Sequence, residues 1–196
     1  MNTDTDRAAE AEPLVDWGMV HGRFQPFHNG HLTCLQQAAS RCRHLLIGIT
    51  APDRHALIAE PDDPTRHLPA SNPFTFTERL LMITAVLRDN DPGIPSYVIP
   101  FPISTPELWD DYLPAGTVHY LRLFSDWGRA KLERLTTAGY RVVTLDPGAE
   151  KEVSGEQVRA AWRSDDPLWT SLVPPAVADT ICHRLDAHVR DRRTAS

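Results

Sequence analysis

The 196-residue chain is 41% hydrophobic and 23% charged, the balance of an ordinary globular protein long enough to bury a core without covalent staples. Its formal charge of −6 argues against a nucleic-acid partner, which calls for a basic surface, yet permits a local basic pocket around a small anion. No run approaches the roughly eighteen apolar residues of a membrane span and the acidic N-terminus is unlike a signal peptide, so a cytoplasmic protein with no membrane partner is expected.

Residues 1–13 lack apolar periodicity and read as a disordered leader, which leaves one domain over 14–190. Strands are predicted at "GMVH" (18–21), "HLLIGIT" (44–50), "SYVIPF" (96–101), "VHYLRLF" (118–124) and "YRVVTLD" (140–146). Between the first two, Leu32, Leu35, Ala38, Ala39 and Cys42 share a helical face; Leu80, Leu81, Ile83, Ala85 and Leu87 suggest a second, less cleanly amphipathic helix. Near-continuous apolar strands separated by helices predict an α/β fold, a doubly wound five-stranded parallel sheet covered on both faces. Such sheets bind ligands beyond the carboxyl ends of their strands, where the strand order reverses. The stretch 51–71, with four prolines, reads as a long loop, and 176–190 as a C-terminal helix that dissolves into charge. Cys34, Cys42 and Cys182 lack CxxC spacing and are read as buried free thiols; the first two fall in one predicted helix, too far apart to pair.

The most informative segment is "HGRFQPFHNGHL" (21–32), where the first strand ends. Gly22 allows a tight exit, Pro26 stiffens the turn, and Gly30 permits close approach of a ligand or backbone. "NGHL" opens a helix whose free N–H groups and positive dipole end attract an anion. Arg23 adds a fork of donors, and His28 and His31 can supply protonated imidazoles. A zinc site would need further ligands, and no partner cluster with zinc spacing is apparent. A purely structural role would require dedicated partners for two buried histidines. Phosphate handling is the favoured reading. Capping boxes are expected at Thr75/Glu78 and Ser154/Gln157, the latter placing Arg159 near a second helix N-terminus.

"GRFQPFHNGH" resembles the signature of the HxGH nucleotidylyltransferase superfamily, and is closely similar to the archaeal-type nicotinamide mononucleotide adenylyltransferase loop G-R-[FM]-Q-P-F-H-x-G-H. "NPFTFTER" (72–79), "LW" (Leu108–Trp109), "VSGEQVR" (153–159) and "SLVPPAV" continue the resemblance over about 18–185. It implies a Rossmann-like fold and direct nucleotidyl transfer: an acceptor oxygen attacks the α-phosphorus of a bound NTP and pyrophosphate leaves. By the same resemblance His28 and His31 contact the phosphates, Arg23, Ser154 and Arg159 hold the β- and γ-phosphates, and Gly22, Phe24, Gly30 and Gly155 line the nucleotide site. Mg²⁺ would ride on the nucleotide rather than in a protein cage. Relatives often form homo-oligomers.

The acceptor side departs from the pattern. NMN-specific relatives carry an acidic residue before "LW"; here the segment is "PFPISTPELW", with Trp109 open to either ring stacking or a core role. Where relatives carry S-[GN]-N-P, this chain has "FSDWGRAK", which puts Phe124 and Asp126 beside the base or ribose. Glu156 replaces a threonine of the second phosphate motif, and the long loop offers Arg54, His55, Arg66 and His67, of which Arg66 and His67 are the acceptor candidates. These changes imply a redirected member using CTP and a small phosphonate or phosphate, as in phosphonoformate cytidylyltransferases. Ordinary NMN adenylylation with ATP is the alternative, and a catalytically inactive nucleotide-binding module, with Glu156 as its lesion, the third.

Overall fold

The computed structural model describes residues 13–183 apart from 54–56, 58, 60–63, 125 and 147–152. All of the expected leader over 1–13 except Pro13, together with Arg54, His55 and the end of the predicted C-terminal helix beyond 183, lies outside the described residues. Five strands, β1 (Val15–Gly22), β2 (Cys42–Thr50), β3 (Ser96–Phe101), β4 (Val118–Leu121) and β5 (Arg141–Thr144), form one parallel sheet in the order β3-β2-β1-β4-β5. The chain steps outward from β1 to β3, then crosses back to lay β4 on the other side of β1. The reversal of strand order therefore falls at the carboxyl end of β1, where the histidine-rich loop begins.

Alternation along β1 and β2 divides the core. Val20, Ile47 and Ile49 face one side, under α1 (Asn29–Ala39), α2 (Phe76–Asp89), α4 (Gly155–Arg163) and a closing helical stretch at 175–183. Met19 and Leu46 face the other, under α3 (Asp126–Thr137) and a 3₁₀ turn at Pro106–Asp111, with Phe101, Trp109 and Leu135 completing that cluster. Both faces are thus covered, as near-continuous apolar strands require.

Several boundaries differ from the sequence reading. α1 stops at Ala39 and Cys42 opens β2, so Cys34 and Cys42 do not share a helix. Ser40 and Arg41 make the turn, with Arg41 N–H bonding the Ala38 carbonyl. Cys182 is exposed rather than buried, although all three thiols are free. The inward face of α2 is Arg79, Met82, Ile83 and Val86, while Leu81 is 55% exposed. An apolar-only reading misses this register because its first member is an arginine. β4 ends at Leu121; beyond it Arg122 and Phe124 line the ligand cavity, while Leu123 packs on the cluster under α3.

Candidate active site

A cavity of about 260 Å³ opens at the carboxyl ends of the strands. Its wall includes Arg23, His28, His31 and Arg159, brought together by two helix N-termini. α1 begins after His28, and α4 begins after Ser154, whose hydroxyl accepts the Gln157 N–H while Gln157 Oε1 accepts the Ser154 N–H at 2.7 Å. The two ends are close: a Cβ placed on Gly155 would lie 3.3 Å from the Gln25 carbonyl oxygen, and one on Gly30 would lie 3.6 Å from that of Val153. Two positive dipole ends and two guanidinium side chains thus frame a site suited to a polyanion.

The loop between β1 and α1 is held from three directions. Gln25 clamps the Phe74 backbone, donating to its carbonyl at 2.8 Å and accepting its N–H at 2.9 Å. Arg159 donates to the Gln25 carbonyl at 2.8 Å, and Arg23 to the Arg66 carbonyl at 2.9 Å. Behind the loop Arg79, fully buried, donates to the carbonyls of Arg23, Thr50 and Ala51 at 2.8–2.9 Å. It leaves α2 just past the capping box, in which the Thr75 hydroxyl accepts the Glu78 N–H and Glu78 accepts the Thr75 N–H. Asn72, at the start of the same motif, donates to the Arg66 and Leu68 carbonyls at 2.7 and 3.0 Å and accepts from Arg23 at 3.5 Å, so its Asn and Arg both brace the loop.

The rings of His28 and His31 stack with centroids 3.6 Å apart and planes inclined by 21°. His31 Nδ1 accepts the backbone N–H of His28 at 3.2 Å, which leaves its hydrogen on Nε2. The sequence suggested that both rings can supply protonated imidazoles; in this contact Nδ1 of His31 is the acceptor and Nε2 is left as its donor. Stacking so close also disfavours two like charges.

The other expected site residues divide. Gly22, Phe24, Gly30, Arg66, Phe124 and Gly155 line the cavity. Ser154 caps α4 beside the lining residues Val153 and Gly155, with its hydroxyl engaged in that cap. Asp126 opens α3, and its side chain lies outside the described residues. His67 is half-buried away from the cavity wall. Trp109, offered as an acceptor-stacking ring, is 0% exposed, donates its indole N–H to the Pro102 carbonyl at 2.9 Å, and packs on Phe101 and Tyr140. It is a core residue here, so the ring-stacking assignment is corrected. Glu156 is exposed on the first turn of α4, where a carboxylate suits the helix dipole, and it does not face the cavity.

Other lining residues fall inside the segments singled out in the sequence, although no individual role was legible for them there. Trp127 lines the cavity with the Arg66 guanidinium 4.2 Å from its ring centroid. His21, Thr50 and Lys131 line it as well. Burial, then the charge of Lys131 and the neighbouring His119 and Arg66, keep the His21 imidazole well below its ordinary pKa. Burial first and Arg66 second bring the Lys131 ammonium down to about 8. Among the described residues that line the cavity there is no aspartate or glutamate, and no three His, Cys, Asp or Glu side chains of the described chain converge as a metal cluster.

The fold and site define the class. Residues 19–160 match the Cytidylyltransferase-like family, and the chain belongs to it. It is 42% identical over 172 residues to phosphonoformate cytidylyltransferase of Streptomyces viridochromogenes, covering 87% of this chain and 93% of that one. It is also 36% identical over 168 residues to nicotinamide-nucleotide adenylyltransferase of Methanospirillum hungatei, covering 82% and 83%. Solved structures share the fold. A bifunctional NMN adenylyltransferase/ADP ribose pyrophosphatase from Francisella tularensis aligns at TM-score 0.54 and 17% identity, over 93% of this chain and 56% of that one, so this chain spans about half its length. Plasmodium falciparum nicotinic acid mononucleotide adenylyltransferase aligns at 0.50 and 11%, over 87% and 96%. The two curated activities are both nucleotidylyl transfers, and this chain is a nucleotidyltransferase of that kind.

Proposed function

We propose that this enzyme transfers a nucleotidyl group from an Mg-bound NTP, CTP in preference to ATP, to a small phosphonate or phosphate acceptor. The observation that carries the acceptor reading is the buried Trp109: the ring that would stack on a nicotinamide is packed in the core, while the cavity wall nearby carries cations. The greater identity to the phosphonoformate enzyme than to the Methanospirillum one points the same way.

The chemistry is one displacement. An acceptor oxygen forms a bond to the α-phosphorus, the bond from that phosphorus to the α,β-bridging oxygen breaks, and its electron pair leaves on pyrophosphate. Both helix N-termini, with Arg23 and Arg159, hold the departing phosphates and take up their growing charge. His31 donates through Nε2–H, and His28 stands against its ring. The cationic lining fits a metal ion that arrives on the nucleotide, and Mg²⁺ bound there would supply further charge neutralisation.

The test is pyrophosphate release with Mg²⁺, using CTP and ATP separately against NMN and a panel of small phosphonates and phosphate monoesters. Turnover with CTP and a small phosphonate is expected. Turnover confined to ATP and NMN would instead assign the chain to NAD synthesis.

A further inference from the structure

Polar groups that the phosphate chemistry above does not use gather at the end of the cavity under the sheet face that carries α3. His21 is 8% exposed, and among the described residues neither ring nitrogen has a hydrogen-bond partner. Thr50, at the carboxyl end of β2, is 1% exposed and its hydroxyl also lacks a partner among the described residues. Both side chains line the cavity, and so does Lys131 of α3. Behind His21 lies His119, 0% exposed, its ring edge-on at 5.3 Å and both its nitrogens without hydrogen-bond partners among the described residues. Buried polar atoms are almost always satisfied, so two such side chains on the wall of one cavity suit a polar ligand bound there.

The chemistry of that ligand follows from charge. Every ionic side chain among the described lining residues is cationic, including Lys131 and Arg66 at this end. Desolvation of the Lys131 ammonium is costly until an anion arrives. The pyrophosphate portion is accounted for by Arg23, Arg159 and the starts of α1 and α4. These helices pack on the opposite face of the sheet from α3. In-line displacement brings the nucleophile in on the side of the α-phosphorus away from the leaving pyrophosphate. An imidazole N–H, a hydroxyl and an ammonium can together hold one carboxylate.

We propose that His21, Thr50 and Lys131 form a specificity pocket for a second acidic group, a carboxylate, on the acceptor. This rests on the small-phosphonate reading and narrows it to acceptors in which a carboxylate accompanies the attacking phosphonate. The residues are specificity determinants: they hold the end of the acceptor that does not react.

The experiment compares phosphonoformate with methylphosphonate in CTP-dependent pyrophosphate release, for the native enzyme, Lys131→Met and Thr50→Val, with thermal melts of all three. The native enzyme is expected to favour the carboxylated acceptor by about 100-fold in kcat/KM. Lys131→Met should shrink that ratio at least about 10-fold, acting on the phosphonoformate KM, and Thr50→Val should shrink it less while keeping the side-chain shape. Should Lys131→Met fail to fold, the ratio for Thr50→Val decides. Equal use of both phosphonates by the native enzyme would overturn the pocket while leaving phosphonate transfer standing. Equal losses with both acceptors would also overturn it, by placing Lys131 against the nucleotide. Absence of turnover with any phosphonate would sink the acceptor reading and the pocket together.

Discussion

Arg79 couples the start of α2 to the loop that carries Arg23, and its removal provides a quantitative test of how the site is held. Its guanidinium donates to the carbonyls of Arg23, Thr50 and Ala51 at 2.8–2.9 Å, and its Nε to the Thr75 carbonyl at 3.2 Å. Two of the residues at these contacts are left-handed without being glycine: Phe24, which follows the Arg23 carbonyl, has φ 51°, and Ala51 has φ 52°. Each such residue costs about 1–2 kcal/mol and persists only where its surroundings hold it. Arg79→Met keeps most of the side-chain length and removes every donor. Each hydrogen bond from a charged group contributes about 1.5–3 kcal/mol, and each carbonyl left buried costs about 1–3 kcal/mol. Relaxation of Phe24 and Ala51 recovers part of this, so a net loss of about 3–5 kcal/mol is expected. For a domain of this size each kcal/mol lowers Tm by about 2–4 °C, which puts the drop at about 6–20 °C. Circular dichroism melts measure it directly, and kcat should fall as well, since the Arg23 loop loses its anchor. A Tm within about 3 °C of the native value, with unchanged turnover, would refute the reasoning.

Further outcomes follow from the same geometry. His31→Ala should lower kcat by about 10²–10³, the usual effect of deleting one charge-stabilising donor, while shifting Tm by only a few degrees; full activity would remove His31 from the chemistry. Trp109→Phe should lower Tm and leave the KM of a small phosphonate within about twofold, because the indole is a core group; a large rise in KM alone would restore it to the acceptor site. Gly48→Ala should destabilise by about 1–3 kcal/mol in denaturant titration, since its Cβ would stand 2.9 Å from the Phe101 Cβ and closer still to the Met19 methyl. Burial first, then Lys131, push the His119 pKa down to about 3. As pH falls below about 6.5 the unfolded chain takes up a proton there that the folded chain refuses until about 3, so stability is retained above this window and lost through it. The bound on that loss is about 5 kcal/mol. His119→Phe should flatten the acid limb of a pH–stability curve; an unaltered limb would contradict the assignment.

What the sequence made legible was local. The strand–loop–helix around "GRFQPFHNGH" announces itself because glycines, a proline and a helix start must fall in that order for the backbone to turn there. Both capping boxes, Thr75/Glu78 and Ser154/Gln157, were readable for the same reason: cap and partner are three residues apart. The parallel sheet was equally clear from its apolar runs, and "SYVIPF" is β3 to the residue. Contacts between distant segments were not legible. Nothing in "RFQPFH" says that Gln25 clamps Phe74, 49 positions away, and nothing in "TERL" says that its arginine turns inward to meet three carbonyls. Arg79 also hid the register of α2, because burial of a charged residue runs against apolar periodicity. Trp109 shows the complementary limit: a tryptophan after a turn suits a pocket or a core, and only the packed 3₁₀ turn with its bond to Pro102 decides. His21 opens the histidine-rich motif without a role legible from sequence, since the period-2 geometry that turns it away from α1 becomes meaningful only once α3 brings Lys131 to the same face.

The central claim is that a retained phosphate cradle serves a rebuilt acceptor side, and one competition measures it. The enzyme is given equimolar CTP and ATP with Mg²⁺, together with NMN and phosphonoformate, and the products are identified by mass and phosphorus NMR. The account predicts a cytidylyl-phosphonate adduct and pyrophosphate as the dominant pair. Accumulation of NAD in its place would contradict it.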